Sequence, residues 1–178
     1  MAGGLPCSAW RPRDSAYVRC APLTSRACTG SSPIRSSCAS GRCFSRAQTE
    51  EWVEDTLRCY ARDGFGLWAV TFTGSDEAIG DCGLVRHAVD GSMETDIGWH
   101  LLREHWGQGL ATEAAQASRD YAFVQRGVQR LVAQIHPEHA ASRRVAEKIG
   151  MTLHKEYQHW RGLRLLYVLE RGARPNSL

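Results

Sequence analysis

From Gln48 onward the apolar positions keep regular periods; before it they do not. Trp52, Val53, Thr56, Leu57 and Tyr60 fall on one helical face. Thr49 is the expected cap of that helix, Glu50 and Glu51 sit in its first turn, and Gly64 ends it. Leu67 to Phe72 (LWAVTF) reads as a strand, and Ala78 to Val85 (AIGDCGLV) as the returning strand of a hairpin. A turn at Asp90-Gly91 leads to a third strand, Met93 to Leu102, with Ile97, Trp99 and Leu101 on one face and Asp96, Gly98 and His100 on the other.

The period then changes. Ala111, Ala114, Ala115, Ser118, Tyr121, Ala122 and Val124 make the inner stripe of a helix running from Ala111 to Gln125. A strand over Arg130 to His136 follows, ended by Pro137. Ala140 to Ile149 is a helix with Gly150 as a left-handed stop and Met151 folding back on its last turn. Two strands, Thr152 to Tyr157 and Leu163 to Leu169, finish the pattern around Arg161-Gly162. The order helix, hairpin, strand, helix, strand, helix, two strands predicts an α+β domain: one mixed, mostly antiparallel sheet flanked by helices.

Residues 1–44 are different. The first 46 residues hold nine Ser, seven Arg and five Cys with no sustained apolar period, a composition that does not offset the entropy of ordering. Irregular structure is therefore expected from about residue 15 to 44. The expected organisation is an atypical segment at 1–44, a domain at 45–171 and a short tail at 172–178.

Charge divides along the same line. Of 22 Lys+Arg and 19 Asp+Glu, seven Arg and Asp14 lie in residues 1–46, which leaves fifteen bases and eighteen acids, a net −3, in the rest. The net charge of +3 is thus no argument for nucleic-acid binding. No apolar run approaches the ~18 residues of a membrane span, and no basic start precedes an apolar stretch, so the default compartment is the cytoplasm. Seven cysteines without a CxxC pair or zinc-like Cys/His spacing predict neither a disulfide framework nor a metal site.

The most informative segment is Thr95 to Glu113 (TDIGWHLLREHWGQGLATE). A strand runs into Gly107-Gln108-Gly109 and a helix opens with no Ser, Thr, Asp or Asn in front of it; Thr112 comes late for a cap. The unpaired N–H groups of that first turn need a partner, and an anion supplies one. Two glycines let a ligand approach the backbone closely. A lone Gly-x-Gly is equally compatible with a plain turn. A dinucleotide fingerprint would need Gly at Thr112 and an acid about 20 residues on, and a P-loop would need a following Gly-Lys-Ser/Thr; neither is present.

The run IGWHL…WGQGLATEA…YAF followed by IHPEHAASRRVAEKIGM resembles the acetyl-coenzyme A-binding core of the Gcn5-related N-acetyltransferases (GNAT), in particular the branch of ribosomal-protein N-terminal acetyltransferases. The resemblance extends from about Ser45 to Arg171. Trp106 to Ala111 matches the register of the family's Gln/Arg-x-x-Gly-x-Gly/Ala motif, with Trp106 in the first position. The family's Asn-x-x-Ser signature appears as His139-Ala140-Ala141-Ser142, with His in place of Asn. The resemblance implies that Leu101, Leu102, Trp106, Gly107, Gln108, Gly109, Leu110, Ala111, Thr112, His139 and Ser142 contact acetyl-coenzyme A, the pyrophosphate resting on backbone amides.

It also implies direct transfer of the acetyl group to a primary amine, best a protein or peptide N-terminal α-amine. An α-amino group, pKa ~7.7–8, loses its proton more readily than a lysine at ~10.4. Asp96 is the candidate for taking that proton through water. Ser142 or Tyr157, with Tyr167 as a rival, is the candidate donor to the leaving thiolate. Backbone amides around Trp99 to Leu102 are expected to polarise the thioester carbonyl. The bland alternatives are a solvated carboxylate for Asp96, helix-start polarity for Ser142 and core or rim aromatics for the tyrosines. Cys82 reads as a small buried apolar group. No metal, nucleic acid or membrane partner is expected, and a monomer or homodimer is. The alternatives to a peptide-directed enzyme are a small-molecule amine acetyltransferase and a coenzyme A-binding module without catalysis.

Overall fold

The computed structural model describes residues 18–22, 46–75 and 77–172, with side chains described from residue 50. Seven strands form one sheet in the order β1-β2-β3-β4-β5-β7-β6. They are β1 (Val18–Pro22), β2 (Leu67–Phe72), β3 (Ala78–Val89), β4 (Ser92–Leu101), β5 (Arg130–Ile135), β6 (Thr152–His159) and β7 (Gly162–Glu170). Helix α1 covers Arg46–Asp63, α2 Leu110–Asp120 and α3 Ala140–Lys148. Every neighbouring pair is antiparallel except β4 and β5.

Three sequence expectations are corrected. Val18–Pro22, inside the stretch expected to be irregular, is a strand that pairs with β2 from Val18↔Phe72 to Pro22↔Trp68. The ladder supplied by β2 fixes five residues whose own pattern carries no signal. The remainder of the 1–44 segment, including Trp10 to Asp14, lies outside the described residues. Helix α1 begins at Arg46, so Thr49 is inside it rather than capping it. The second helix-period segment, expected over Ala111 to Gln125, is α-helical only to Asp120 and continues as a π-helical turn over Tyr121–Gln125.

One sheet face packs on α2 and α3. Trp68, Val70, Cys82, Leu84, Ile97 and Leu101 meet Ala114, Ala115, Ala146 and Ile149 there. The small side chains of α2 let it approach the sheet closely; the buried Cys82 Sγ lies 3.3 Å from Ser118 Oγ, so Cys82 is the small core group that its strand position predicts. On the other face, α1 covers the β2–β3 side through Val53, packed with Ala69 and Ala78; its Tyr60 instead packs against the main core and donates to the Leu67 carbonyl at 2.7 Å. A separate cluster of Val89, Val132, Tyr157, Leu166 and Val168 fills that face near β5–β7.

Two details position the site. First, β4 and β5 pair only at Thr95↔Leu131 and Asp96↔Val132, although β4 continues to Leu101 and β5 to Ile135. The sheet is therefore split beyond Asp96. Second, the β3–β4 hairpin continues past Val85 to Val89↔Ser92. Asp90 and Gly91 close it with φ of 47° and 84°, the two positive values of a tight hairpin turn. Below the split, α3 ends as its sequence predicts: Gly150 has φ 92°, and its N–H and that of Met151 bond to the Glu147 and Ala146 carbonyls.

Candidate active site

The loop from β4 to α2 is built around two left-handed glycines. Gly107 has φ 75° and Gly109 has φ 85°. Gly109 is the N-cap of α2, and no side chain caps that helix. The first N–H groups of an α-helix have no intrahelical acceptor, and here a side-chain acceptor is lacking too. A Cβ placed on either glycine would have nothing within 4 Å, so the loop surface lies open for a ligand. Gln108 is tied down through its amide, which donates to the Glu104 carbonyl at 3.1 Å. Leu110 is buried, anchoring the start of the helix, while Ala111 and Thr112 are half-buried.

Between this loop and Asp96, β4 runs on without pairing to β5. The Leu102 N–H donates to the Ile79 carbonyl at 2.9 Å, toward β3. Alternation along a strand then turns the backbone groups of Ile97, Trp99 and Leu101 toward β5. The Trp106 indole N–H donates to the Leu101 carbonyl at 2.8 Å, which covers one of these edge groups with an aromatic wall. Of the stretch expected to polarise a carbonyl, Trp99 has backbone facing the split, whereas the Leu102 amide is engaged with β3. The side chains of Leu101 and Leu102 are both buried.

The far wall is the start of α3. His139 is its N-cap, and Nδ1 accepts the Ser142 N–H at 3.3 Å. Ser142 Oγ lies 2.6 Å from the same nitrogen. A nitrogen that accepts an amide proton carries none itself, so the serine hydroxyl donates and the ring proton sits on Nε2. Burial, then the neighbouring His100 and His136, push the His139 pKa below the usual imidazole value. Nε2 is buried and has no hydrogen-bond partner among the described residues. The ring stands perpendicular to Trp106, with centroids 6.0 Å apart. An orphaned donor beside an open anion seat is the arrangement that a polar ligand completes.

At the apex of the split, on the face opposite the main core, lies a polar group drawn from four strands. Asp96 Oδ2 is 3.0 Å from His87 Nε2 and 2.7 Å from Gln134 Nε2. Tyr157 donates its hydroxyl proton to Gln134 Oε1. The Tyr157 pKa is raised by burial and then by the Asp96 charge. Tyr167 lies buried in the main core, within hydrogen-bond distance of Arg143 and Glu147. A second pair, Asp81 and His100, bridges β3 and β4 further along at 2.9 Å. The structure thus brings Asp96 and Tyr157 into one network and Trp106, His139 and Ser142 into another, while Tyr167 belongs to neither. A hairpin strand that ends at Val85 misses His87. Continuing its alternation to the Asp90-Gly91 turn places His87 diagonally across from Asp96.

Residues 10–152 match the family described as Acetyltransferase (GNAT) domain. The chain belongs to the GNAT acetyltransferase family. It is 39% identical to YkkB of Bacillus subtilis (strain 168) over 115 residues, 65% of this chain and 67% of that protein; other curated relatives are matched over about half their length. Among solved structures, the fold resembles RimL, a ribosomal L7/L12 alpha-N-protein acetyltransferase in complex with coenzyme A, with TM-score 0.67 and 16% identity over 88% of this chain and 95% of that one. It also resembles Mycobacterium smegmatis RimJ in complex with a coenzyme A disulfide, with TM-score 0.68 and 20% identity over 86% and 81%. These likenesses establish the fold: a GNAT sheet with its helices. Among the described residues no helix is long and apolar enough to cross a membrane.

Proposed function

We propose that this protein transfers the acetyl group of acetyl-coenzyme A directly to the α-amine of a peptide or protein N-terminus. The observation that carries the reading is the continuity of three features: an uncapped, glycine-opened helix start, a stretch of β4 from which β5 has diverged, and an anionic polar group where the two strands part. Ile97 to Leu101 is five residues, about 17 Å at ~3.4 Å each. That is the span over which the co-substrate's extended arm lies between its pyrophosphate and its thioester.

Each residue then has a task. The backbone N–H groups from Gly107 to Thr112 hold the pyrophosphate, where the helix dipole favours negative charge. Trp106 and His139 wall the arm, and His139 Nε2–H donates to one of its polar atoms in the place of the family's asparagine. The Trp99 backbone faces the thioester carbonyl as its oxygen gains charge. Asp96 anchors the group that handles the amine's proton. Ser142 stands on the thiolate side, its own proton held by His139.

The α-amine reading draws support from RimL, which acts on a protein N-terminus and shares the fold. A thiol-release assay with acetyl-coenzyme A and a panel of N-terminal peptides, polyamines and other small amines tests it. Release with peptides above the amines is the expected result. Preference for a small amine would transfer the site to that acceptor class. No release with any acceptor, alongside a retained thermal shift with coenzyme A, would leave only a coenzyme-binding module.

A further inference from the structure

Asp96 is poorly placed to act on the amine itself. Its side chain is 16% exposed, and Oδ2 faces two nitrogen groups. The orientation of the Gln134 amide is fixed, because Tyr157 donates to its Oε1 and so turns the NH2 group toward Asp96. A carboxylate only accepts, so the His87 nitrogen 3.0 Å from it carries the ring's proton. The other tautomer would set an imidazole lone pair against an anionic oxygen. Gln134 Nε2, 3.1 Å from His87 Nε2, is then a neighbour sharing the same acceptor. His87 Nδ1 is left as the proton-accepting atom, on a side chain that is 44% exposed; no hydrogen bond engages it among the described residues.

We propose that His87 takes the proton from the acceptor amine at Nδ1, and that Asp96 is a positioning residue that holds the imidazole in its Nε2–H form. The inference rests on the N-acetyltransferase reading of this site. Chemistry favours the imidazole. Moving a proton from an α-ammonium at ~7.7–8 to a carboxylate near ~3.9 is unfavourable by about 10⁴, whereas an imidazole near ~6.5 reduces this to about 10–30-fold. The hydrogen bond that His87 donates to Asp96 raises the His87 pKa further, against the effect of burial. The other charged and titratable groups around this face are Tyr157 and His159 on β6, Arg164 on β7 and two ion pairs. Glu94, directly opposite His87 on β4, pairs with Arg130 of β5 at 3.4 Å, and Lys155 on β6 bonds to Asp90 of the hairpin turn at 2.6 Å. Arg62 bonds to the neighbouring Arg86 carbonyl and is paired with Asp63.

The ammonium gives one proton to Nδ1. The freed nitrogen lone pair attacks the thioester carbon; the C–N bond forms as the carbonyl becomes an oxyanion. Collapse restores the carbonyl and breaks the C–S bond. The nitrogen loses a second proton, which neutralises the thiolate, and His87 passes the first to solvent. One proton is released per acetyl group transferred from an ammonium.

The test compares wild type, H87Q and D96N in thiol release over about pH 5.5 to 9.5, a window spanning the unperturbed imidazole and α-amine values. Wild type is expected to show an acid limb in kcat/KM above ~6.5. H87Q should lose about 10²–10⁴-fold in kcat together with that limb, while its thermal shift with coenzyme A stays at the wild-type value. D96N should keep the limb but move it to lower pH. NMR titration of the histidines in the wild-type protein reads the same claim without a variant: the His87 titration must coincide with the kinetic limb. H87Q with wild-type kcat/KM and an unmoved limb, or a His87 titration away from the limb, overturns the proposal while the acetyltransferase reading stands. Wild type that releases no thiol with any amine overturns both.

Discussion

His139 caps helix α3 with the same nitrogen that lies 2.6 Å from the Ser142 hydroxyl. One imidazole atom therefore caps the start of a helix, orients a serine and fixes the ring's proton on the buried Nε2. Asparagine, the residue the family signature has here, caps helices well but cannot be switched by protonation near neutral pH. H139A should lose the cap, at about 1 kcal/mol in chemical denaturation, and bind coenzyme A about 3- to 10-fold more weakly. H139N should restore both. Wild-type affinity in H139A would remove His139 from the coenzyme wall.

The same residue sets a pH dependence. Its pKa in the folded protein lies below the unfolded value of ~6.5. The unfolded chain therefore binds the proton first, and the stability contributed by neutral His139 is complete above ~6.5 and is lost as pH falls below it. Protonation would also place a proton on the nitrogen that accepts from Ser142. Thermal melts between about pH 5 and 7, a range centred near the unperturbed imidazole value, should show H139N falling less steeply than wild type. Parallel profiles would contradict this.

His100 runs the other way. Asp81, with a side chain only 4% exposed, raises the His100 pKa above its usual value. The pair's contribution is complete below ~6.5 and is lost as pH rises through the higher folded value. Removing the ring strands a buried carboxylate, so H100A should cost about 1–3 kcal/mol at about pH 6. D81N should flatten the slope on the alkaline side of that pH, which melts of the single variants measure.

Gly109 carries the seat through its conformation rather than its size. With φ 85° and nothing within 4 Å of where an alanine Cβ would sit, G109A meets strain without a clash. The expected cost is about 1–2 kcal/mol, and relaxation of the turn would move the helix's first N–H groups off the ligand. Denaturation together with coenzyme A titration separates the two effects. Unchanged stability and affinity would mean that the loop is a plain turn.

The sequence makes most of this molecule legible where periodicity is strong. Ile97, Trp99 and Leu101 against Asp96 and His100 predict the faces of β4, and the uncapped glycine opening of α2 is present as its residues imply. Order within the sheet is not legible: nothing local in Gly162–Glu170 says that β7 inserts between β5 and β6. The split beside Asp96 is equally hidden, because it arises where two strands distant in sequence stop pairing. His87 and Gln134 lack a signal of their own; each becomes a partner of Asp96 only through register between strands.

An amine that attacks acetyl-coenzyme A at the split between β4 and β5 leaves an acetylated nitrogen and a free thiol. Mass spectrometry of an N-terminal peptide incubated with the protein and acetyl-coenzyme A tests this attack most directly. One added acetyl group on the α-nitrogen is expected, with one thiol released for each peptide modified, and both slowed about 10²–10⁴-fold in H87Q. Unmodified peptides and amines across the whole panel, with coenzyme A still bound, would contradict it.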